Sequence, residues 1–153
     1  MDHEKYMKEC LKLGEEALQN GNPPVGSLVV SDGKIIGKAR ETAATTGRIT
    51  DHAEILAIID AIENGHRADL SKSFLYTTHE PCIMCSYPIR QYRIPVIVFG
   101  LAVEHIGGAT SNLGVLRTEK VPQWGQKPEI IQGICIKDCE ALQLRFLEKK
   151  KKR

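Results

Sequence analysis

Apolar positions along the chain change repeatedly between helical spacing and strand-like runs, with turn residues between the segments. The pattern predicts strands at 25–30, 35–39, 73–78, 96–101 and 129–136, and helices at 3–20, 52–64, 82–92 and 137–153. Because strands alternate with helices, we predict an α/β fold, specifically a three-layer α/β/α sandwich around a five-stranded mixed sheet.

The connections between the segments predict strand directions. The turn "SDGK" joins the first two strands, so they are expected to pair as an antiparallel hairpin. The helix at 82–92 connects two apolar strands, which predicts a parallel crossover. Residues 40–51 are expected to form a polar loop, and residues 102–128 predict only loops with short helix.

Local signals predict the cap of one helix and the buried sides of two. Asp51 is expected to cap the second helix, with Ile55, Ile59 and Ile62 on its buried side. In the last helix the side chains expected to face the core are Cys139, Leu142, Phe146 and Leu147.

Composition narrows the class of protein without identifying it. The chain has 153 residues, 42% of them hydrophobic and 26% charged, which is typical of one globular domain. The net charge of +2 neither requires nor excludes a nucleic-acid partner. No apolar run has the ~18 residues of a membrane span, and no signal peptide is apparent. The five cysteines are an odd number, so we expect a reducing compartment, the cytoplasm, and no disulfide framework.

Two short motifs stand at predicted helix starts. "HAE" places His52 and Glu54 at the beginning of one helix, and "PCIMC" places Cys82 and Cys85 at the beginning of another. Free backbone N–H groups and the positive end of a helix favour thiolates, which are the metal-binding form of cysteine. Taken alone, the cysteine pair is open to three interpretations, namely a metal site, a redox pair and chance packing.

The histidine favours the metal interpretation. Helices that start at the same edge of a sheet point their N-termini at one place, so His52 is expected to meet Cys82 and Cys85. Three protein ligands with one open position are the coordination of catalytic zinc. Glu54 then has two possible roles, as part of a capping box or as the carboxylate that carries protons beside activated water. His79 is close enough in sequence to support the site, or is an ordinary histidine at a strand end.

"HAE" followed by "PCIMC" resembles the H-x-E…P-C-x-x-C signature of the zinc-dependent cytidine-deaminase superfamily. The resemblance covers most of the chain and is strongest to the branch of tRNA adenosine deaminases, guanine deaminases and fungal-type cytosine deaminases. It implies a single deaminase domain over 1–153 and one zinc ion per subunit. It also implies that His52, Cys82 and Cys85 hold the zinc and that Glu54 is the catalytic proton shuttle.

The resemblance also implies how the base is held, and one position departs from it. The backbone N–H of Ala53 and the carbonyl near Glu80 are expected to contact the base, with Val25 beside it. Eleven residues before the histidine the family has an asparagine that both donates to and accepts from the base, whereas this chain has Glu41. An ionised carboxylate only accepts hydrogen bonds. The departure therefore predicts either a substrate with a different hydrogen-bonding pattern, or that Glu41 is only a loop residue and does not recognise the substrate.

A second departure follows the second cysteine. Tyr87 and Pro88 replace the small residues expected there, and they are expected either to narrow the pocket or to pack. The loop before "HAE" has only Arg40 and Arg48 as basic residues, and Glu41 and Asp51 offset them.

These features rank the possible substrates. We expect a small aminated nucleobase, nucleoside or related heterocycle ahead of RNA. The alternatives are a tRNA adenosine deaminase, for which the basic tail 149–153 is a possible phosphate contact, and a non-catalytic structural zinc module. The resemblance further implies a homodimer.

Overall fold

The secondary structure follows the predicted order. The computed structural model of the protein describes residues 2–152. The strands are β1 (Gly26–Ser31), β2 (Lys34–Arg40), β3 (Phe74–His79), β4 (Val96–Leu101) and β5 (Glu129–Gln132). The helices are α1 (His3–Gln19), α2 (Ala43–Thr46), α3 (Ala53–Glu63), α4 (Ile83–Gln91) and α5 (Ile136–Lys151), with 3₁₀ turns at Arg67–Lys72 and Pro122–Trp124.

One mixed sheet contains all five strands, in the order β2-β1-β3-β4-β5. β1 pairs antiparallel with both β2 and β3, while β3–β4 and β4–β5 are parallel. The predicted hairpin and the predicted parallel crossover through α4 are therefore confirmed. This topology places α4 directly after the central strand β3, so the residues that follow β3 lie in the middle of one sheet edge.

Alternate residues of the central strands face different helical layers. Leu75 of β3 and Ile97 of β4 belong to the core that also contains Ala57 of α3 and Ile89 of α4. The neighbouring residues Tyr76 and Val98 belong instead to the core formed with α1 and α5, which lie on the opposite side of the sheet. The three-layer α/β/α sandwich predicted from the sequence is therefore confirmed, with α3 and α4 in one layer.

The predicted cap of α3 is wrong. His52, not Asp51, is the N-cap residue, and it makes no side-chain capping bond. The Asp51 carboxylate instead accepts hydrogen bonds from the Thr46 hydroxyl and from Arg48 Nε, both at 2.8 Å. Asp51 thus holds the preceding loop, and α3 begins one residue later than predicted.

The predicted buried sides of α3 and α5 are only partly correct. α3 buries Ala57, Ile58 and Ala61, whereas Ile55 and Ile62 are half-buried and Ile59 is 42% exposed. In α5, Cys139 and Leu142 are buried as predicted, Phe146 is half-buried, and Leu147 is exposed. β5 is also shorter than predicted, since the chain turns at Gly133 and Cys135, both with positive φ. No helix within residues 2–152 is long and apolar enough to cross a membrane.

The core at β3 should dominate the stability of the site's framework. Leu75 is fully buried and lies opposite Val29 and Ile97 in the sheet. Leu75→Ala should lower the free energy of unfolding by about 2–5 kcal/mol, because it leaves a cavity in a packed core. Urea denaturation measures this loss. Leu144→Ala is the matched control, because Leu144 is 61% exposed and should change stability by less than about 0.5 kcal/mol. Equal losses in the two variants would contradict the assigned core.

Candidate metal centre and active site

Three soft or borderline donors meet where α3 and α4 begin. His52 is the N-cap residue of α3, Cys82 is the N-cap residue of α4, and Cys85 lies in the first turn of α4. The Nδ1 atom of His52 is 3.5 Å from each of the two Sγ atoms, and the Sγ atoms are 3.7 Å apart. These three residues form a group whose ligand atoms could hold one metal ion.

The spacing of the donors matches tetrahedral zinc. With Zn–S bonds of about 2.3 Å and Zn–N bonds of about 2.0–2.1 Å, tetrahedral angles place two sulfurs about 3.8 Å apart and sulfur and nitrogen about 3.6 Å apart. The observed distances of 3.7 Å and 3.5 Å agree with this geometry. The residues present therefore fit a zinc ion and leave the fourth corner for a reacting molecule.

The electrostatics of the three donors stabilise one thiolate among them. Hydrogen bonds from Cys85 and from His52 lower the pKa of the Cys82 thiol to about 4. The hydrogen bond with Cys82, followed by burial, raises the pKa of Cys85, and the hydrogen bond with Cys82 also raises the pKa of His52 to about 9. One thiolate is thus already stabilised, and a metal that binds here displaces the remaining protons.

Glu54 lies beside the three donors, and one of its carboxylate oxygens has no hydrogen-bond partner among the described residues. Its side chain is buried, and this oxygen is the Oε1 atom. Burial, followed by the nearby charge of Glu41, raises the pKa of Glu54 to about 8. A carboxyl group with this pKa can both take up and release a proton near neutral pH. The capping-box role would need Glu54 in the third helical position, and it occupies the second.

The donors open into a narrow cleft of about 170 Å³. This volume is below the range of about 300–1,000 Å³ that is usual for pockets of drug-sized ligands, so the cleft suits a single small ring. The lining consists of Pro23, Val25, Glu41, His52, Glu54, His79, Glu80, Cys82, Val103 and Ile106. The structure therefore brings together most of the site residues predicted from the sequence. Larger surface cavities, of about 480 and 680 Å³, contain none of them.

The Glu80 carboxylate holds the loop that closes one side of the cleft. It accepts hydrogen bonds from the backbone N–H groups of Val103, Ala109 and Thr110 at 2.9, 2.8 and 2.7 Å, and from the Thr110 hydroxyl at 2.6 Å. The side chain of Glu80 is thus engaged with the protein. The loop it holds supplies Val103 and Ile106 to the cleft, and the sequence analysis missed both residues because they lie in the segment it could not assign.

Glu41 reaches the centre from the end of β2. The side chain is buried, and burial raises the pKa of its carboxyl group. Its Oε1 atom accepts a hydrogen bond from the backbone N–H of Ala53 at 3.3 Å, and its Oε2 atom is 3.9 Å from Nε2 of His52. The N–H group expected to hold a base is therefore bonded to Glu41 in this structure.

His79 joins the cleft to α5. Its Nε2 atom is 2.9 Å from Oε1 of Gln143, and its Nδ1 atom is 3.0 Å from the Thr78 hydroxyl. Burial lowers the pKa of His79, which favours the neutral ring. Both ring nitrogens thus have hydrogen-bond partners, and His79 supports the cleft wall. It does not belong to the group of residues that could hold a metal ion.

Tyr87 lies away from the cleft. Its side chain is 57% exposed on α4, and its ring packs edge-on against Trp124 with 5.9 Å between the centroids. It is absent from the residues that line the cleft. The predicted narrowing of the pocket by Tyr87 is therefore not seen within the described chain.

Known proteins are similar to this chain in both sequence and fold. Residues 1–101 match the family model of the cytidine and deoxycytidylate deaminase zinc-binding region. A tRNA-specific adenosine deaminase of Streptococcus pyogenes serotype M18 (strain MGAS8232) is 32% identical over 150 residues, covering 97% of this chain and 91% of the relative.

Solved structures agree with these sequence matches. A chain from structural studies of A-to-I editing by tRNA:A34 deaminases superposes with a TM-score of 0.82 and 25% identity, covering 90% of this chain and 98% of the other. Guanine deaminase from Bacillus subtilis superposes with a TM-score of 0.62 and 32% identity, covering 67% of this chain and 66% of the other.

Metal content tests the assignment of the donors. The purified protein should hold one zinc ion per chain, and Cys82→Ser should lose it, because serine does not replace a thiolate ligand of zinc. Elemental analysis after dialysis measures the ratio of zinc to protein. Cys135→Ser is the matched control, since Cys135 is a free cysteine outside the cluster. Zinc that stays in the Cys82 variant, or leaves the Cys135 variant, would refute the assignment.

Proposed function

The chain belongs to the cytidine and deoxycytidylate deaminase family, whose members are zinc-dependent hydrolases, and we propose that it converts an adenosine of transfer RNA to inosine. The observation that carries this proposal is the 32% identity to a tRNA-specific adenosine deaminase over 97% of this chain. A small heterocycle is favoured by the sequence analysis, but near full-length similarity to a tRNA-modifying enzyme outweighs the two departures on which that ranking depends.

The proposed chemistry divides between the bound metal and Glu54. His52, Cys82 and Cys85 would hold a zinc ion, which when bound would supply Lewis-acid chemistry to activate water. Glu54 accepts a proton from the attacking water and delivers it to the ring nitrogen, and it then carries the second proton of that water, from the new hydroxyl group, to the exocyclic amine. The new bond joins the water oxygen to the ring carbon, the C–N bond breaks, and ammonia leaves.

The shape of the cleft supports a base that enters alone. A cleft of about 170 Å³ has room for a ring but not for a stacked base pair, so an RNA substrate must present an unstacked base. We propose that Val25 contacts this ring together with Ile106, and that the main-chain carbonyl of Glu80 accepts a hydrogen bond from it. The same walls keep bulk water away from the reacting atoms.

The charge at the end of α5 supports an RNA substrate. Gln143 of α5 contacts His79 at the cleft, and the basic last turn begins about 9 Å further along the helix at 1.5 Å per residue. Lys149, Lys150 and Lys151 are exposed there. Arg153, the last residue of the basic tail, lies outside the described residues. We propose that this turn contacts phosphates of the substrate.

A second candidate function is deamination of a free aminated heterocycle. The observation that favours it is Glu41, a carboxylate in the cleft at the position where the family has an asparagine. An acceptor-only group there suits a ring that presents N–H groups. Release of ammonia from such a ring, without inosine formation in RNA, would support this candidate.

Glu54→Gln tests the proposed chemistry. With zinc retained, the variant should form inosine in an anticodon stem-loop about 10²–10⁴-fold more slowly, because glutamine cannot carry the proton. Nucleoside analysis of digested RNA measures inosine, and Glu104→Gln, a change at an exposed residue, is the control. Full activity in the Glu54 variant would contradict the proton-carrying role.

Assays of the wild-type protein distinguish the remaining candidate functions. Inosine in the stem-loop supports the main proposal. If ammonia is instead released only from a panel of free aminopurines and aminopyrimidines, the second candidate replaces it. If the zinc-loaded protein is inactive on both substrate classes, both proposals fail and a structural zinc module remains.

We also propose that the described residues form one deaminase domain that assembles as a homodimer through α3 and α4. Both helices cover the same side of the sheet, and each exposes a large apolar residue, Ile59 at 42% and Tyr87 at 57%. Contiguous exposed apolar patches mark interfaces, and these two residues lie on helices that contact each other. Sedimentation should therefore give twice the chain mass of 17.0 kDa.

A charge on the proposed interface should separate the subunits. Ile59→Glu should sediment as a monomer, because the carboxylate would lose its hydration in the interface. Leu144→Glu, on exposed α5, should remain a dimer. A monomeric wild-type protein would refute the proposal, and so would a dimeric Ile59 variant.

A further inference from the structure

Glu41 is a buried carboxylate that has no Arg or Lys partner among the described residues. Its side chain is only 6% exposed, and its ion-pair partner in the described chain is His52. The nearest basic residues in sequence are engaged elsewhere, because Arg40 pairs with Glu16 and Arg48 pairs with Asp51. Burying a carboxylate costs free energy of folding unless a positive group compensates its charge. His52, the ion-pair partner of Glu41, therefore has to provide that compensation.

The orientation of the His52 ring shows where that compensation comes from. Nδ1 faces the two cysteine sulfurs at 3.5 Å, whereas Nε2 is directed toward Oε2 of Glu41 at 3.9 Å. A histidine that binds a metal through Nδ1 carries its proton on Nε2. The carboxylate therefore faces the N–H group of an imidazole whose opposite side meets the metal donors.

We propose that Glu41 is a positioning residue that holds His52 as a metal ligand in a carboxylate–histidine–metal arrangement. Carboxylates in this arrangement fix the tautomer and ring orientation of the histidine and make it a stronger ligand. The role differs from that of the family's asparagine, which contacts the base. The inference rests on the proposed ligand role of His52 and is independent of which substrate the enzyme uses.

The surroundings of Glu41 keep its carboxylate in place. The backbone N–H of Glu41 donates to the carbonyl of Val25 at 2.9 Å, which fixes the chain where β2 ends. The Oε1 atom accepts the N–H of Ala53, the residue that follows His52. One carboxylate thus hydrogen-bonds to Ala53 and lies within ion-pair distance of the ring of His52, two adjacent residues at the start of α3.

Charge distinguishes this arrangement from one with an amide. Glutamine at position 41 keeps an oxygen for the N–H of Ala53 and nearly the same shape, but it removes the negative charge beside the imidazole. Asparagine restores the residue type of the family and is too short to reach both contacts. Either substitution should weaken metal binding and leave the stability of the metal-free protein nearly unchanged.

Zinc affinity of the purified full chain tests the proposal. Competition with a chromophoric chelator should show zinc bound about 10–100-fold more weakly by Glu41→Gln, the usual effect of removing such a partner, and likewise by Glu41→Asn. Asp51→Asn is the matched control, because it removes a buried negative charge next to His52 in sequence without a contact to its ring. Its zinc affinity should equal that of the wild type.

Two further readouts separate ligand positioning from other roles. In the cobalt-substituted protein the visible absorption bands should shift in Glu41→Gln and not in Asp51→Asn, since the bands report the ligand field at the metal. Urea unfolding of the metal-free proteins should give equal stabilities for the wild type and Glu41→Gln. A loss of zinc affinity explained by a matching loss of metal-free stability would overturn the positioning role.

The remaining outcomes also decide the question. Unchanged zinc affinity and cobalt spectrum in both Glu41 variants overturn the proposal, and a change confined to KM for the substrate would then assign Glu41 to base contact. If the wild-type protein binds zinc no better than His52→Ala, the ligand assignment under the proposed function fails as well. If the wild type binds zinc and His52→Ala does not, the ligand assignment is supported, and the Glu41 variants alone then support or overturn the positioning role.

Discussion

The site depends on two helices of one layer that begin at the same point of a sheet edge. α3 and α4 both pack on the same side of the sheet, and their N-cap residues are His52 and Cys82. A helix start offers free N–H groups and a positive potential, which stabilise anionic ligands. Because Cys85 lies one turn into α4, the backbone of that helix also fixes the distance between the sulfurs. A shift of either helix would separate donors that now fit one zinc ion.

Three buried glutamates surround this centre, and their partners distinguish their roles. Glu80 is satisfied by four hydrogen bonds from the loop that it anchors. Glu41 is held between the N–H of Ala53 and the ring of His52. Glu54 alone among them has a buried oxygen without a partner in the described chain. A carboxylate with satisfied oxygens supports structure, whereas one with a free oxygen beside a metal centre can move protons.

Much of the framework follows from local sequence. Apolar runs such as 96–101 predicted β4 correctly, and the spacing of "HAE" and "PCIMC" predicted which residues would meet at the two helix starts. Errors arose where a tertiary contact overrides a local preference. Asp51 resembles an N-cap residue, but Thr46 and Arg48 engage its carboxylate, and His52 is the N-cap residue of α3 instead.

The cleft wall was beyond prediction for a different reason. Val103 and Ile106 reach the site because Glu80 and the backbone of Pro81 and Ile83, all about twenty residues earlier, bind their loop, and no local pattern encodes so distant a contact. The substrate is harder still to infer, because Glu41 contacts both the imidazole and the backbone. The sequence shows that Glu41 departs from the family's asparagine, but it does not show which of these two groups the carboxylate binds.

X-ray absorption at the zinc K-edge of the zinc-loaded protein identifies the ligands of the metal. Two sulfur atoms at about 2.3 Å and lighter atoms at about 2.0–2.1 Å should complete four-coordinate zinc. A coordination shell with no sulfur, or with four sulfurs, would contradict this assignment, since the three donors at the starts of α3 and α4 could then not be the ligands of this ion.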